Sequence, residues 1–154
     1  MRGVIVPLTV VISAGFCRAD APPAKPEAAI QAVLDAQADA WNRGDLEGFM
    51  AGYWKSEDLV FFSGGDVTKG WDATLARYRK RYQADGKEMG KVAFSDVEIT
   101  PIGAENALVR GRWKVVTSKE TLQGLFTLRF QKLDAGWRIV HDHSSAAEPP
   151  KKKE

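Results

Sequence analysis

The chain has 154 residues, of which 44% are hydrophobic and 27% charged, and a formal net charge of +2. That length allows one hydrophobic core and one domain, and so small a net charge gives no reason to expect a nucleic acid or another polyanion as partner. Five Trp, seven Phe and three Tyr are enough to fill a core or to line a cavity.

The N-terminus has the pattern of a secretory signal peptide over residues 1–21. Arg2 supplies a short positive region, Gly3 to Phe16 an uncharged and mostly apolar stretch, and Ala19 and Ala21 the small residues of a cleavage site. The expected location is the periplasm or the cell exterior. The apolar stretch is short and broken by Pro7, unlike a membrane span, and no later segment is apolar enough to cross a bilayer. No membrane association is therefore expected after signal removal. Cys17 follows a short apolar segment, as a lipid-modified cysteine does, but it is preceded by Phe16 where a small residue is usual. Cleavage after Ala19 or Ala21 would leave a mature chain without cysteine, and so without disulfides or thiol chemistry.

A Pro/Ala linker reaches Pro26. Glu27 to Arg43 has helical spacing, with Ile30, Val33, Leu34, Gln37 and Trp41 on one stripe. Gly44 fits the position just past a helix end and Asp45 the N-cap of a second helix. That helix is expected to carry Leu46, Phe49, Met50 and Tyr53 on one face, with Trp54 beside them. Leu59 to Ser63 reads as a short apolar strand ended by Gly64-Gly65. Gly70 leads into a third helix with the stripe Trp71, Leu75, Tyr78 and Tyr82; its basic run, Arg77 with Arg79, Lys80 and Arg81, reads as a solvated face. After Gly86 the period becomes two, giving strands near Val92–Thr100, Ala107–Thr117, Gly124–Leu133 and Trp137–Ser144. Residues 146–154 read as a disordered, Pro-broken tail. Helices followed by a run of strands indicate an α+β domain over residues 27–145, with the helices on one sheet face.

Several strings, in this order and spacing, resemble the SnoaL-like, nuclear-transport-factor-2-like group, above all its calcium/calmodulin-dependent kinase II association-domain branch. They are Asn42 to Glu47 (NRGDLE) at the helix junction, Gly70 before the third helix, and Asp134 to Ser145 (DAGWRIVHDHSS) in the closing strand. The resemblance spans Glu27 to Ser145. It implies a curved antiparallel sheet with three N-terminal helices packed on one face, a cystatin-like cone with a pocket, and a homodimer formed largely through the sheet. Members include isomerases, dehydratases, polyketide cyclases, transport factors and oligomerisation hubs, so the fold does not name the function. Nothing here resembles a kinase domain, and the calmodulin-linked role does not carry over.

Strand parity gives an expected pocket face. Placing Leu133 opposite Trp137 puts Phe126, Leu128, Phe130, Val140, Asp142 and Ser144 together, joined by Val109, Gly111, Trp113 and Val115. Arg110, Arg112, Arg129, Gln131, Trp137, Ile139, His141 and His143 then share the opposite face, the expected dimer interface. The pocket would be lined by Trp41, Tyr53, Trp54, Trp113, Leu128 and Ser144. The kinase association domain has pocket arginines at the positions matched here by Trp113, Leu128 and Ser144, so the resemblance points away from an anionic ligand and toward a small apolar or aromatic molecule.

Asp142 is the candidate catalytic residue: a carboxylate on an apolar face resists ionisation and suits general acid–base work near neutral pH. Its bland reading is a strand-end Asp bonded to water or a backbone amide. The group's catalytic pairs, an Asp with a Tyr or an Asp with a His, have no clean counterpart visible in the sequence. His141 and His143 point the same way on a strand, but two ligands are too few for a metal site. No phosphate loop, nucleophile elbow or Cys/His cluster is present. The expectation is an exported small-molecule-binding protein; if it is an enzyme, the expected chemistry is a cofactor-free isomerisation, dehydration or cyclisation with Asp142 as base and Tyr53 or Ser144 as hydrogen-bond donor. The alternative is a non-catalytic dimerisation or interaction module, with aromatic side chains filling the pocket.

Overall fold

A computed structural model describes residues 25–147 of the chain; the expected signal peptide, the linker up to Ala24 and the tail beyond Ala147 lie outside them. Helix α1 (Pro26–Asn42) begins with Pro at its first position, where no backbone N–H is required. It buries Ile30, Leu34, Gln37 and Trp41, as its spacing predicts. Gly44 takes the left-handed conformation (φ 82°) that lets the chain turn sharply. Asp45 then accepts a 2.7 Å hydrogen bond from the Gly48 N–H and caps α2 (Leu46–Met50). The Asn42 side chain ties this corner to the sheet, donating to the Val92 carbonyl (3.1 Å) and accepting from the Val92 N–H (2.7 Å).

The second helix is shorter than its apolar spacing predicts. It stops at Met50, and Tyr53 instead forms an isolated parallel bridge with Ile139. The Ile139 N–H donates to the Gly52 carbonyl and the Trp54 N–H donates to the Ile139 carbonyl, both at 2.9 Å. This clip competes successfully with another helical turn because it fixes the segment against the sheet.

Strand β1 (Val60–Ser63) turns through Gly64-Gly65 into β2 (Asp66–Lys69), a strand the sequence reading lacks. Helix α3 (Trp71–Tyr82) follows, and then β3 (Lys91–Ile102), β4 (Asn106–Val116), β5 (Thr121–Leu133) and β6 (Gly136–Ala146). The six strands form one sheet in the order β2-β1-β6-β5-β4-β3. It is antiparallel except where β1 runs parallel to β6, pairing Phe61 with Asp142 and Ser63 with Ser144. The expectation of a wholly antiparallel sheet is corrected there: the chain reaches β1 from α2 and joins the sheet beside its last strand, a long-range pairing that local pattern does not encode. A register shift in β3 between Ser95 and Glu98, with Asp96 at φ 52°, disrupts the β3–β4 ladder, a device that bends sheets.

The three helices cover one sheet face, and the buried cluster joins Leu34, Trp41 and Met50 to Val109, Phe126 and Phe130. The expected core positions of β4 and β5 are borne out; those of β6 are only half right. Leu133 pairs with Gly136 rather than Trp137, Lys132 pairs with Trp137, and Phe130 with Ile139. An extra residue, Val140, then shifts the register, so that Arg129 faces His141 and Leu128 faces Asp142. Trp137 and Ile139 are consequently in the core, 6% and 1% exposed, and not on the outer face. Val140 is buried but stands outside the core cluster it was expected to join.

This register has a measurable consequence. Ile139→Ala should destabilise the domain by about 2–5 kcal/mol in urea unfolding, whereas Leu125→Ala, on the outer face and 50% exposed, should change it by about 0.5 kcal/mol or less. Equal, small effects would refute the register.

Candidate functional site

Between the helices and the sheet lies a cavity of about 150 Å³. Trp41, Tyr53, Trp113, Leu128, Asp142 and Ser144 all line it; Trp54 does not. Trp54 is only partly buried, and its place in the backbone clip to Ile139 sends it elsewhere. Phe49, Phe61, Tyr78 and Phe126 supply further aromatic wall. Trp41 is held edge-on by Phe49 (5.1 Å between ring centroids) and Tyr82 (4.7 Å), while its indole N–H donates to the Met89 carbonyl at 3.1 Å. Trp113 is fixed at the other end by donating to the Ser145 carbonyl (3.0 Å).

Glycines on the cavity face make room for these rings. A Cβ on Gly111 would meet the Phe126 ring at 2.5 Å, and one on Gly124 would stand 1.8 Å from the Ser145 carbonyl oxygen and 2.8 Å from the Trp113 indole nitrogen. Gly124 therefore permits the bond that seats Trp113.

Asp142 is 2% exposed. The Tyr53 hydroxyl donates to Asp142 Oδ2 and the Ser144 hydroxyl donates to Oδ1, each at 2.7 Å. Tyr53 and Asp142, which strand and helix spacing did not bring together, are thus hydrogen-bonded partners. Asp142 reaches the cavity because of the bulge at Val140, and Tyr53 reaches Asp142 because its backbone is bridged to Ile139 on the other side of that bulge. Both hydroxyls expected as hydrogen-bond donors, Tyr53 and Ser144, donate to the carboxylate itself.

Burial pushes the Asp142 carboxyl up to about 6; the hydrogen bonds from Tyr53 and Ser144, and the charge of His143, pull it down in part. Burial, with the Asp142 charge next in size, raises the Tyr53 hydroxyl well above the ordinary tyrosine value. At neutral pH the pair is therefore a carboxylate held by a neutral phenol.

The basic run of α3 also departs from expectation. Arg79 pairs with Glu47, as a solvated arginine does, but Arg77 and Arg81 line the cavity. On the outer face, Arg110 and Arg112 pair with Glu98 and Asp96, each at 2.9 Å, so β3 offsets part of that face's positive charge. His141 and His143 stand edge-on to Phe62, with ring centroids 4.9 and 5.9 Å away. Among the described residues there is no cluster of three or more His, Cys, Asp or Glu able to hold a metal ion.

A carboxylate whose pKa is raised on folding stabilises the native state when protonated, and that contribution is lost as pH rises from about 4 through about 6. Asp142→Asn should therefore gain stability relative to the parent over this interval, by roughly 3 kcal/mol at full ionisation. Melting both proteins between pH 4 and 8 checks this; a constant difference in stability would show that Asp142 does not titrate there.

The SnoaL-like domain matches residues 30–149 of the chain. Among solved structures, an NTF2-like protein of unknown function from Shewanella oneidensis MR-1 is 43% identical, with a TM-score of 0.74 over 79% of this chain and 99% of that one. A ketosteroid isomerase-like protein from Erwinia carotovora atroseptica is 23% identical, with a TM-score of 0.64 over 79% of this chain and 96% of that one. An NTF2-like superfamily protein from Salmonella enterica is 17% identical, with a TM-score of 0.66 over 84% and 99%. The last two show likeness of fold alone. No curated protein matches the chain. These relatives bear out the group-level resemblance; the narrower kinship with the kinase association domain does not follow from them.

Proposed function

Since the chain belongs to the SnoaL-like family, whose fold hosts many chemistries, we propose that it binds a small, mostly apolar molecule in the cavity and moves a proton on it with Asp142 as general base. The observation that carries this reading is a buried carboxylate on the wall of an open aromatic cavity, oriented through both oxygens by Tyr53 and Ser144. A base titrating near 6 is ionised at neutral pH yet still binds a proton well enough to take one from carbon. Tyr53 and Ser144 act as positioning residues. The reaction needs no cofactor: Asp142 removes a proton next to a carbonyl, the electron pair moves toward the carbonyl oxygen, and the proton returns to the same carbon or another one. The name of the Erwinia relative, ketosteroid isomerase-like, fits that class of step. The cavity reaching Asp142 supports this reading over that of an interaction module with a filled core.

The test uses a one-ring aryl ketone as probe. Quenching of the cavity tryptophans reports its entry, and deuterium washout at the carbon next to the carbonyl, followed by NMR, reports proton abstraction. Washout should rise with pH about a midpoint near 6, because the ionised base is the active form, and Asp142→Asn should slow it about 100-fold or more. Washout unchanged by Asp142→Asn in protein that binds the ketone would remove the base assignment.

We also propose export, resting on the Arg2, Gly3–Phe16, Ala19 and Ala21 pattern, and a homodimer through the outer sheet face. Trp137 and Ile139 are buried in the core and do not contribute to that face. The support for the dimer is the exposure of Phe62, Val116 and Leu125, at 36%, 43% and 50%. Sedimentation at tens of micromolar should give a two-fold assembly; a monomer there would refute it.

A further inference from the structure

The cavity is apolar within but not at every part of its wall. Arg77 and Arg81 stand four residues apart on α3, so they project from the same side of the helix, and both line the cavity. The ion pairs among the described residues take up Arg43, Arg79, Arg110 and Arg112, leaving Arg77 and Arg81 without a carboxylate partner. Arg77 is partly buried and firmly placed. It donates to Thr68 Oγ1 at 2.9 Å and to the Ser63 carbonyl at 2.8 Å, and its guanidinium lies 5.3 Å from the centre of the Phe61 ring. All three partners are neutral, and two of its five N–H donors are engaged. The arrangement orients a cation without neutralising it. Arg81 is exposed, with its guanidinium 5.5 Å from the Tyr82 ring.

Among the described residues a single carboxylate lines the cavity, Asp142, and it is buried and already bonded to two hydroxyls. Positive charge without a partner and negative charge with its partners thus occupy different parts of one cavity. Its volume of about 150 Å³ is the size at which an apolar protein cavity holds a single benzene ring.

We infer that the ligand is an amphipathic anion: a body of about one aromatic ring in the cavity, carrying a carboxylate on a short spacer that Arg77 and Arg81 hold. This deepens the small-molecule reading of the same cavity and rests on it. The guanidinium fork suits a carboxylate, which accepts two parallel N–H bonds. Placing the anionic head on α3 also keeps it apart from the carboxylate of Asp142, so one ligand can satisfy the arginines and still present an apolar carbon to the base. The sheet positions matched to pocket arginines hold Trp113, Leu128 and Ser144; here the cations come from the helix instead.

The experiment compares 3-phenylpropionate with its uncharged amide, 3-phenylpropanamide, by calorimetry and tryptophan quenching at low salt. The acid should bind about 10-fold or more tightly than the amide, and the preference should weaken as salt is raised. Arg81→Gln should remove much of the preference without altering amide binding. Arg77→Gln should do the same, and Arg77→Lys should restore part of it, which separates lost charge from lost support of the β1–β2 turn. Arg79→Gln, which removes the partner of Glu47, should leave the preference as in the parent. Equal binding of acid and amide, or a preference that survives both glutamine variants, overturns the anionic-head inference while leaving the apolar pocket standing. Failure of both compounds to bind at millimolar concentration overturns the pocket reading and this inference with it.

Discussion

At Val140, strand β6 carries one residue more than β5 can match, and the chain on either side of that bulge feeds the same face of the sheet. Trp137 and Ile139 reach the core before it; Asp142 and Ser144 reach the cavity after it. In a regular strand, parity forbids this: if Ile139 points inward, so does His141, and Asp142 points to solvent. The bulge therefore does two jobs that alternation cannot combine. It closes the core beneath α1 and α2, and it turns a carboxylate into the cavity wall. Tyr53 depends on the same feature, because the bridge that fixes its backbone is made to Ile139, at the edge of the bulge.

Burying a carboxylate opposes folding unless its oxygens are bonded. Asp142 has a hydroxyl donor on each oxygen, and among the described residues no buried side-chain polar atom lacks a partner. The hydrogen bonds do not cancel the desolvation, since the carboxyl still titrates well above its ordinary range. A group kept at that balance is costly as structure alone; two neutral hydrophobic side chains would pack there with less penalty. This imbalance supports the proposal that Asp142 serves chemistry rather than scaffolding.

Much of the molecule is legible in local pattern. The stripe of α1, the Gly44–Asp45 corner and the inward positions of β4 and β5 all follow from residue type and spacing, because each depends on neighbours within a turn or a hairpin. Strict alternation also places Asp142 on the cavity face, but only because the one-residue error in register and the unseen bulge at Val140 cancel there; they do not cancel at Trp137 and Ile139. No residue type marks Val140 as a bulge; Val is at home in any strand. Tyr53 continued an apolar helical spacing, and only a contact with a residue 86 positions away draws it out of the helix. The arginines of α3 failed differently. Charge implies solvation at Arg79, beside Glu47, and at the exposed Arg81, but not at Arg77, which is partly buried on the cavity wall.

The two glycines that admit Phe126 and Trp113 separate shape from reactivity. Gly111 and Gly124 lie on β4 and β5, whereas the Asp142–Tyr53 pair belongs to β6 and the segment after α2. The two glycines that shape the seats of Phe126 and Trp113 therefore lie on strands other than the one that carries Asp142. On the proposed function, a substitution at Gly111 or Gly124 would change which molecules fit while leaving the carboxylate and the phenol that holds it in place.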